Sequence, residues 1–96
     1  MEREEILREI LKIIRRYLPE KDFKIFLFGS WAKESAEPTS DIDIGILGKE
    51  SVEGLVLIRI KCEIEAIPTL RKIDVVDLKA VDDKFREGVL SYAKQL

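Results

Sequence analysis

The chain alternates apolar and polar residues most strictly in one short stretch, DIDIGIL at residues 41–47. Side chains of a β-strand point alternately to opposite faces, so the pattern predicts a strand with three isoleucines on its buried face. The other face then carries the carboxylates of Asp41 and Asp43. Because a charge inside an otherwise apolar strand is costly unless something binds it, these two side chains indicate a function rather than a structural role.

The rest of the sequence divides into segments with helix or strand periodicity. Apolar residues at spacings of three and four predict helices, and short β-branched or aromatic runs predict strands. The predicted helices are Glu4–Leu18, a short turn Trp31–Glu34, a helix capped by Ser51 that runs to Ala66, and a last helix capped by Asp82 or Asp83 that runs to Leu96. The predicted strands are Phe23–Phe28, 41–47 and Lys72–Leu78, and a loop covers Ser35–Ser40. This order, αβαβαβα, predicts an α/β (α+β) fold with a small three-stranded sheet flanked by helices.

Length and composition favour one small globular domain over residues 1–96, since 46% of the residues are apolar and are spread along the whole chain. The first residues are charged, and no apolar run approaches the ~18 residues of a membrane span. We therefore expect a cytoplasmic protein that does not associate with a membrane.

The charge and cysteine content exclude several other classes. With 17 basic and 19 acidic residues the net charge is −2, so the chain has no overall basic field for a nucleic-acid partner. The single cysteine, Cys62, cannot form an internal disulfide, and without histidine a Cys/His zinc site is excluded. We expect Cys62 to be a small buried apolar residue.

The spacing of Asp41 and Asp43 suits a divalent metal, because their Cα atoms on one strand face lie roughly 6–7 Å apart. Mg²⁺ prefers oxygen ligands and keeps water positions that substrate phosphates can replace. Asp74 adds a third carboxylate within another apolar strand. If the two strands pair, the three aspartates can hold two Mg²⁺ ions, one activating a hydroxyl and one stabilising a leaving phosphate.

A second element of the pattern is Gly29-Ser30 at the end of the first predicted strand. Glycine lets a backbone approach a phosphate closely, and Ser30 offers a hydroxyl and an amide at the start of a helical turn. Lys33, one turn further on, can supply a countercharge. These three residues form the predicted phosphate-binding turn.

Taken together, these motifs are specific. Leu27-Phe28-Gly29-Ser30, ten residues, Asp41-Ile42-Asp43-Ile44 and then Ile73-Asp74-Val75-Val76 resemble the nucleotidyltransferase signature of the DNA polymerase β superfamily. In particular the chain is similar over nearly its whole length to minimal nucleotidyltransferases, short proteins encoded beside HEPN-domain proteins. Members often carry Arg directly after the Gly-Ser pair and Gly after the second basic residue, where this chain has Trp31 and Glu34.

The resemblance implies a nucleotidyltransferase fold with a mixed sheet, ATP as substrate with Mg²⁺, and transfer of AMP to a tyrosine of a HEPN toxin, hence an antitoxin role. Two alternatives stay open: transfer to a small molecule such as an aminoglycoside, or a non-catalytic subunit that neutralises its partner by contact. We expect no second, acceptor-selecting domain, so the acceptor would be bound by a partner, for which we favour a protein, or by a homodimer of this chain.

Other conspicuous residues have simpler interpretations. Trp31 is expected to close the edge of the core, and Tyr17 and Tyr92 are expected to pack on helix faces. Asp77 has the opposite parity to Asp74 in its strand, so we interpret it as a strand-end or capping group and not as a further metal ligand.

Overall fold

The structure, a computed structural model, describes residues 2–32 and 41–96. In chain order its elements are α1 (Arg3–Arg15), β1 (Phe23–Phe28), a 3₁₀ turn (Gly29–Trp31), β2 (Ile42–Gly48), α2 (Gly54–Glu65), β3 (Ile73–Asp77), α3 (Asp83–Leu90) and β4 (Lys94–Gln95). The four strands form one sheet in the order β3-β2-β1-β4. Strands β2 and β3 are parallel and the other pairs are antiparallel. The predicted α/β class with a mixed, helix-flanked sheet is confirmed.

One face of the sheet carries the main hydrophobic core. The three isoleucines of β2 are fully buried there, as the alternation in the sequence predicts. Helices α1 and α2 cover this face with isoleucines spaced by three or four residues, namely Ile6, Ile10, Ile13, Ile14, Ile60 and Ile64. Burying these side chains holds β2 firmly, so the polar residues of the strand must point to the opposite face.

The opposite face has a smaller core around Phe28, Leu78 and Val89, covered by α3. Gly45 of β2 lies under Leu78, and a Cβ atom at this glycine would come within 2.6 Å of Leu78 Cδ1. The glycine therefore lets the turn after β3 pack directly on the sheet. This second core does not include Asp43 and Asp74. These two aspartates lie at the end of the sheet where β1 ends.

Helix α1 ends earlier than the predicted Leu18. Arg16 and Tyr17 donate their amides to the carbonyls three residues back, at 3.2 and 3.0 Å, which marks a tightened last turn. Pro19 disfavours a helical conformation at Leu18, so the chain leaves the helix there. Leu18 is nevertheless buried in the core, which accounts for the apolar periodicity continuing beyond the helix.

The predicted N-cap of α2 at Ser51 is wrong. Glu53 is the cap, and its carboxylate accepts hydrogen bonds from the amides of Leu55 and Val56, both at 3.2 Å. Val52 is buried and donates its amide to Asp77 Oδ2 at 2.8 Å, which ties the segment before α2 to the end of β3. The helix can therefore begin only after this contact.

The predicted C-terminal helix to Leu96 is also too long, and the sheet has a fourth strand that the sequence pattern did not reveal. Helix α3 begins as expected after Asp82, whose side chain accepts from the amide of Phe85 at 2.8 Å. It ends at Leu90, and Lys94–Gln95 pair with Phe26 and Leu27 of β1. The otherwise open edge of β1 supplies the hydrogen-bond partners that draw the last residues into the sheet.

Cys62 lies exposed on α2, so the expectation that it would be buried is wrong. Among the helices in the described ranges, none combines the length and the apolar character needed to cross a membrane.

Candidate active site

Strand register places two of the predicted site residues side by side. Phe28 of β1 pairs with Asp43 of β2, and Asp43 pairs in turn with Asp74 of β3. Gly29 directly follows Phe28, so a row across three neighbouring strands runs from the Gly-Ser turn through Asp43 to Asp74. The pairing of the second and third predicted strands, which the sequence argument required, is therefore found.

Asp41 lies next to this row, just before the strand that carries Asp43. It precedes β2 by one residue and is exposed, whereas Asp43 and Asp74 are half-buried. Within residues 2–32 and 41–96, no three acidic or cysteine side chains already converge in an arrangement that could hold a metal ion. The prediction that all three aspartates bind metal therefore stays a prediction, carried by the Asp43–Asp74 pair.

The surroundings of Asp43 raise the pKa of its carboxyl group. Burial raises the pKa of its carboxyl above the usual value, and the negative charges of Asp74 and Asp41 raise it further, while Lys72 acts in the opposite direction. The ammonium nitrogen of Lys72 lies 3.7 Å from Oδ1 of Asp74, and the two side chains form a largely exposed ion pair. A divalent cation bound to these oxygens would relieve the repulsion, so the donor set fits Mg²⁺.

The Gly-Ser turn lies against Asp43. Gly29 has a φ of 71°, in the left-handed region that glycine adopts without strain. Its amide donates to the hydroxyl of Tyr92 at 3.0 Å, so the C-terminal segment fixes the turn. The amide of Gly29 is thus already engaged, and Ser30 is left as the main polar group of the turn.

Ser30 is half-buried, and its hydroxyl makes no hydrogen bond to another residue of the described ranges. A hydroxyl in this position, one residue beyond the Asp43 row, is suited to contact a phosphate. Lys33, the third predicted phosphate ligand, lies outside the described residues.

Trp31 closes the core next to the turn, as expected, with 1% of its surface exposed. The guanidinium groups of Arg3 and Arg71 lie 5.0 and 4.8 Å from the centroid of its ring. Arg3 also donates to the Trp31 carbonyl at 3.0 Å. These cation–π and hydrogen-bond contacts hold the backbone that follows Ser30.

Asp77 is a structural residue, which agrees with its parity in the strand. It is buried, and its two carboxylate oxygens accept hydrogen bonds from Val52 N–H at 2.8 Å and from Lys79 N–H at 3.0 Å. Asp77 therefore joins the end of β3 to the segment before α2 and does not face the Asp43–Asp74 pair.

Sequence reasoning missed the two residues that support the turn from a distance, Tyr92 and Arg71. Tyr92 is 63 residues from Gly29, so no local spacing connects them. The sequence offered no signal for this pairing, because Tyr92 also fits the apolar periodicity of the predicted last helix.

Several known proteins resemble this chain in sequence and fold. The sequence profile of the family described as "Polymerase beta, Nucleotidyltransferase" matches residues 8–96. The protein adenylyltransferase MntA of Shewanella oneidensis is 27% identical over 88 residues, which cover 92% of this chain and 62% of the relative. This chain thus spans less than two thirds of the length of that protein.

Two solved structures are also similar. A crystal structure of a toxin–antitoxin with AMP-PNP matches with a TM-score of 0.73 and 27% identity, covering 92% of this chain and 69% of that chain. A structure of the tri-AMPylated Shewanella oneidensis HEPN toxin in complex with MNT antitoxin matches with a TM-score of 0.70 and 25% identity, covering 96% and 69%.

Proposed function

This chain belongs to the polymerase β family of nucleotidyltransferases, and we propose that it transfers AMP from ATP to a hydroxyl of a partner protein in a Mg²⁺-dependent reaction. The observation that carries the proposal is the row that runs from Gly29, directly after β1, through Asp43 of β2 to Asp74 of β3. It brings two carboxylates together with the Gly-Ser turn, to which we assign phosphate binding, at one end of the sheet. If the aspartates were only solvated residues of a strand, a glycine with a left-handed conformation would not be needed beside Asp43.

Asp41, Asp43 and Asp74 are the residues that would hold two Mg²⁺ ions. Their carboxylate oxygens are the ligands that Mg²⁺ prefers. The pKa of Asp43 is raised first by burial and then by the negative charges of Asp74 and Asp41, which a cation would neutralise. When bound, Mg²⁺ lowers the pKa of the attacking hydroxyl and neutralises charge on the departing phosphates.

The remaining steps follow from the chain's own residues. Ser30 and Lys33 bind and orient the triphosphate, while Gly29, whose amide is engaged by Tyr92, lets the turn approach it closely because it has no side chain. The acceptor oxygen attacks the α-phosphorus, a new P–O ester bond forms, and the bond between the α-phosphorus and the bridging oxygen breaks to release pyrophosphate. Asp74, at the β3 end of the row, takes the proton of the acceptor hydroxyl.

The acceptor that we propose is a tyrosine of a HEPN-domain toxin, which makes the chain an antitoxin. Two similarities support this partner: one relative is named a protein adenylyltransferase, and one similar structure is an MNT antitoxin in complex with a tri-AMPylated HEPN toxin. The acidic net charge of −2 also disfavours nucleic acid as the acceptor.

Transfer of label from ATP tests the proposal. The chain is incubated with Mg²⁺, a HEPN-domain protein from the same genome or an aminoglycoside, and ATP labelled at either the α- or the γ-phosphate. We expect label on the HEPN-domain protein from α-labelled ATP only, because nucleotidyl transfer retains the α-phosphate and releases the γ-phosphate. Label on the aminoglycoside would indicate a small-molecule enzyme, and γ-label on any acceptor would contradict nucleotidyl transfer.

A further inference from the structure

A cleft of about 290 Å³ lies between the C-terminal half of α2 and β3. Asp74 is part of its lining, so the cleft borders the proposed active site at β3. Its apolar part consists of aliphatic side chains contributed by α2, β3 and the loop between them, namely Ile64, Ile67, Ile73 and Val75.

The charged lining of the cleft contains one more basic than acidic side chain. Lys61, Arg71 and Lys72 line it, against Glu65 and Asp74. Lys72 forms an ion pair with Asp74 at 3.7 Å, so Lys61 and Arg71 are the cations that face the remaining carboxylate, Glu65. Arg71 is held in place by its stacking on Trp31, 4.8 Å from the ring centroid, which makes part of this positive charge preorganised.

The position of the cleft relative to the Gly-Ser turn determines which substrate it can take. The turn follows β1 and the cleft borders β3, so they lie on opposite flanks of Asp43. In a displacement at phosphorus, the attacking and leaving oxygens lie roughly in line on opposite sides. If the leaving phosphates bind at the turn, the attacking hydroxyl arrives from the β3 flank, where the cleft is.

We propose that this cleft docks the acceptor and selects an acidic polypeptide segment next to the hydroxyl that receives AMP. The inference rests on the proposed transfer reaction, because that reaction assigns the turn to the triphosphate. Lys61 is the specificity-determining residue: it is exposed on α2 and has no part in the carboxylate row or the turn.

The volume and chemistry of the cleft favour a peptide over the other negatively charged ligands. About 290 Å³ is at the low end of small-molecule pockets, enough for a short segment. Its apolar lining is aliphatic and offers no aromatic face for a nucleobase, since Trp31 is buried beneath Arg71. Glu65 among the cations, with a net charge of −2 for the whole chain, opposes a continuous phosphate backbone.

Binding of fluorescent peptides tests this inference without relying on turnover. The probes are peptides of equal length with one central tyrosine flanked by glutamate, glutamine or lysine, and an oligothymidylate of similar length. Their affinities for the full chain with Mg²⁺ are measured by fluorescence anisotropy, and the affinity for ATP is measured by calorimetry. The variants are Lys61→Glu and a control, Lys21→Glu, which makes the same charge change in the turn before β1, at the end of the sheet remote from Asp43.

We expect the glutamate peptide to bind at least about 5-fold more tightly than the glutamine peptide, and more weakly as salt is added. Lys61→Glu should remove this preference, whereas Lys21→Glu should retain it, and the affinity for ATP should be unchanged in both. Equal binding of all peptides, no detectable peptide binding, or an unaltered preference in Lys61→Glu would overturn the inference.

Other outcomes separate this inference from the proposed function. A loss of ATP affinity in Lys61→Glu would assign the cleft to the nucleotide, and tighter Lys61-dependent binding of the oligothymidylate would assign it to nucleic acid; both contradict the acceptor cleft. Selective, Lys61-dependent binding of the glutamate peptide without transfer of α-label to its tyrosine would support the acidic-segment cleft and count against the proposed transfer.

Discussion

A Cβ atom at Gly29 would lie 2.2 Å from Oδ2 of Asp43, well inside van der Waals contact. The same glycine has a φ of 71°, which an L side chain rarely adopts. The Gly-Ser turn and the central carboxylate of the site therefore fit together only because residue 29 has no side chain.

Replacing Gly29 by alanine tests this relationship. The change forces either the turn or the Asp43 carboxylate to move and adds left-handed strain, so we expect the free energy of unfolding to fall by more than about 1 kcal/mol. The affinity for MgATP should fall by about 10-fold or more, since small displacements of positioned groups are costly. Urea denaturation and calorimetry measure the two effects.

Gly88→Ala is the matched control. Gly88 lies within α3, and a Cβ atom there would meet nothing within 4 Å. Alanine in a helix interior is expected to raise the free energy of unfolding by about 0.5–1 kcal/mol and to leave MgATP affinity unchanged. Equal behaviour of the two variants would contradict the special role of Gly29.

Asp43→Asn should make the metal-free protein no less stable at neutral pH. Burial and the neighbouring Asp74 and Asp41 raise the pKa of Asp43 in the folded state. The folded protein therefore holds this proton more tightly than the unfolded chain, and the associated stability is lost as the pH rises from the usual 3.8 through the raised pKa. Asparagine abolishes this loss.

Urea denaturation in the presence of a chelator, from acidic to neutral pH, measures the effect. Asp22→Asn, at an exposed turn remote from the site, is the control and should follow the parent's pH dependence. If the parent loses no more stability with rising pH than Asp43→Asn does, the inference that the surroundings of Asp43 raise its pKa is wrong.

Ser30→Ala should weaken nucleotide binding without unfolding the chain. The Ser30 hydroxyl makes no hydrogen bond to another described residue, so its removal costs little stability. We expect a rise of about 5-fold or more in the dissociation constant for MgATP, from the loss of one hydrogen bond to charged phosphate. A variant that melts several degrees lower and binds MgATP normally would make Ser30 a structural cap.

Asp77→Ala should be strongly destabilising. It leaves the buried amide of Val52 without its acceptor, which costs about 1–3 kcal/mol, and also removes the hydrogen bond to the amide of the exposed Lys79. Asp82→Ala removes only the N-cap of α3 and should cost about 1 kcal/mol. Thermal denaturation ranks the two variants, and a smaller loss for Asp77→Ala than for Asp82→Ala would contradict the assignment of Asp77 as a buried link.

The sequence predicts the central strands well because their patterns are local. The strict alternation of residues 41–47 places three isoleucines in the core and Asp43 on the other face, as the structure has them. The parity of Asp77 also separates it correctly from Asp74, since a one-residue offset changes the sheet face. These inferences need only the period of a strand.

The features that sequence reasoning missed depend on contacts between distant segments. Strand β4 forms because the edge of β1 is open to the last residues of the chain. The apolar residues of the whole C-terminal segment have a spacing that fits one continuous helix equally well. The start of α2 is delayed by a hydrogen bond from Val52 to Asp77, 25 residues away. The link from Tyr92 to Gly29 is likewise set by tertiary packing and has no local signature.

The central claim is that Asp74 serves the reaction, and β3 contains its own control. Asp74→Asn and Asp77→Asn make the same substitution three positions apart in one strand, on opposite faces of the sheet. The transfer of label from α-labelled ATP to the HEPN-domain protein is measured for both variants, together with their melting temperatures without metal and their affinities for MgATP.

We expect Asp74→Asn to lower transfer at least about 100-fold, because the change removes a negative charge and most of the basicity from the acceptor side of the site. It should largely keep MgATP binding and melt no lower than the parent. Asp77→Asn should melt lower while its folded fraction transfers AMP normally. A clear fall in the metal-free melting temperature of Asp74→Asn, with transfer retained, would show that Asp74 serves the fold and would contradict the account.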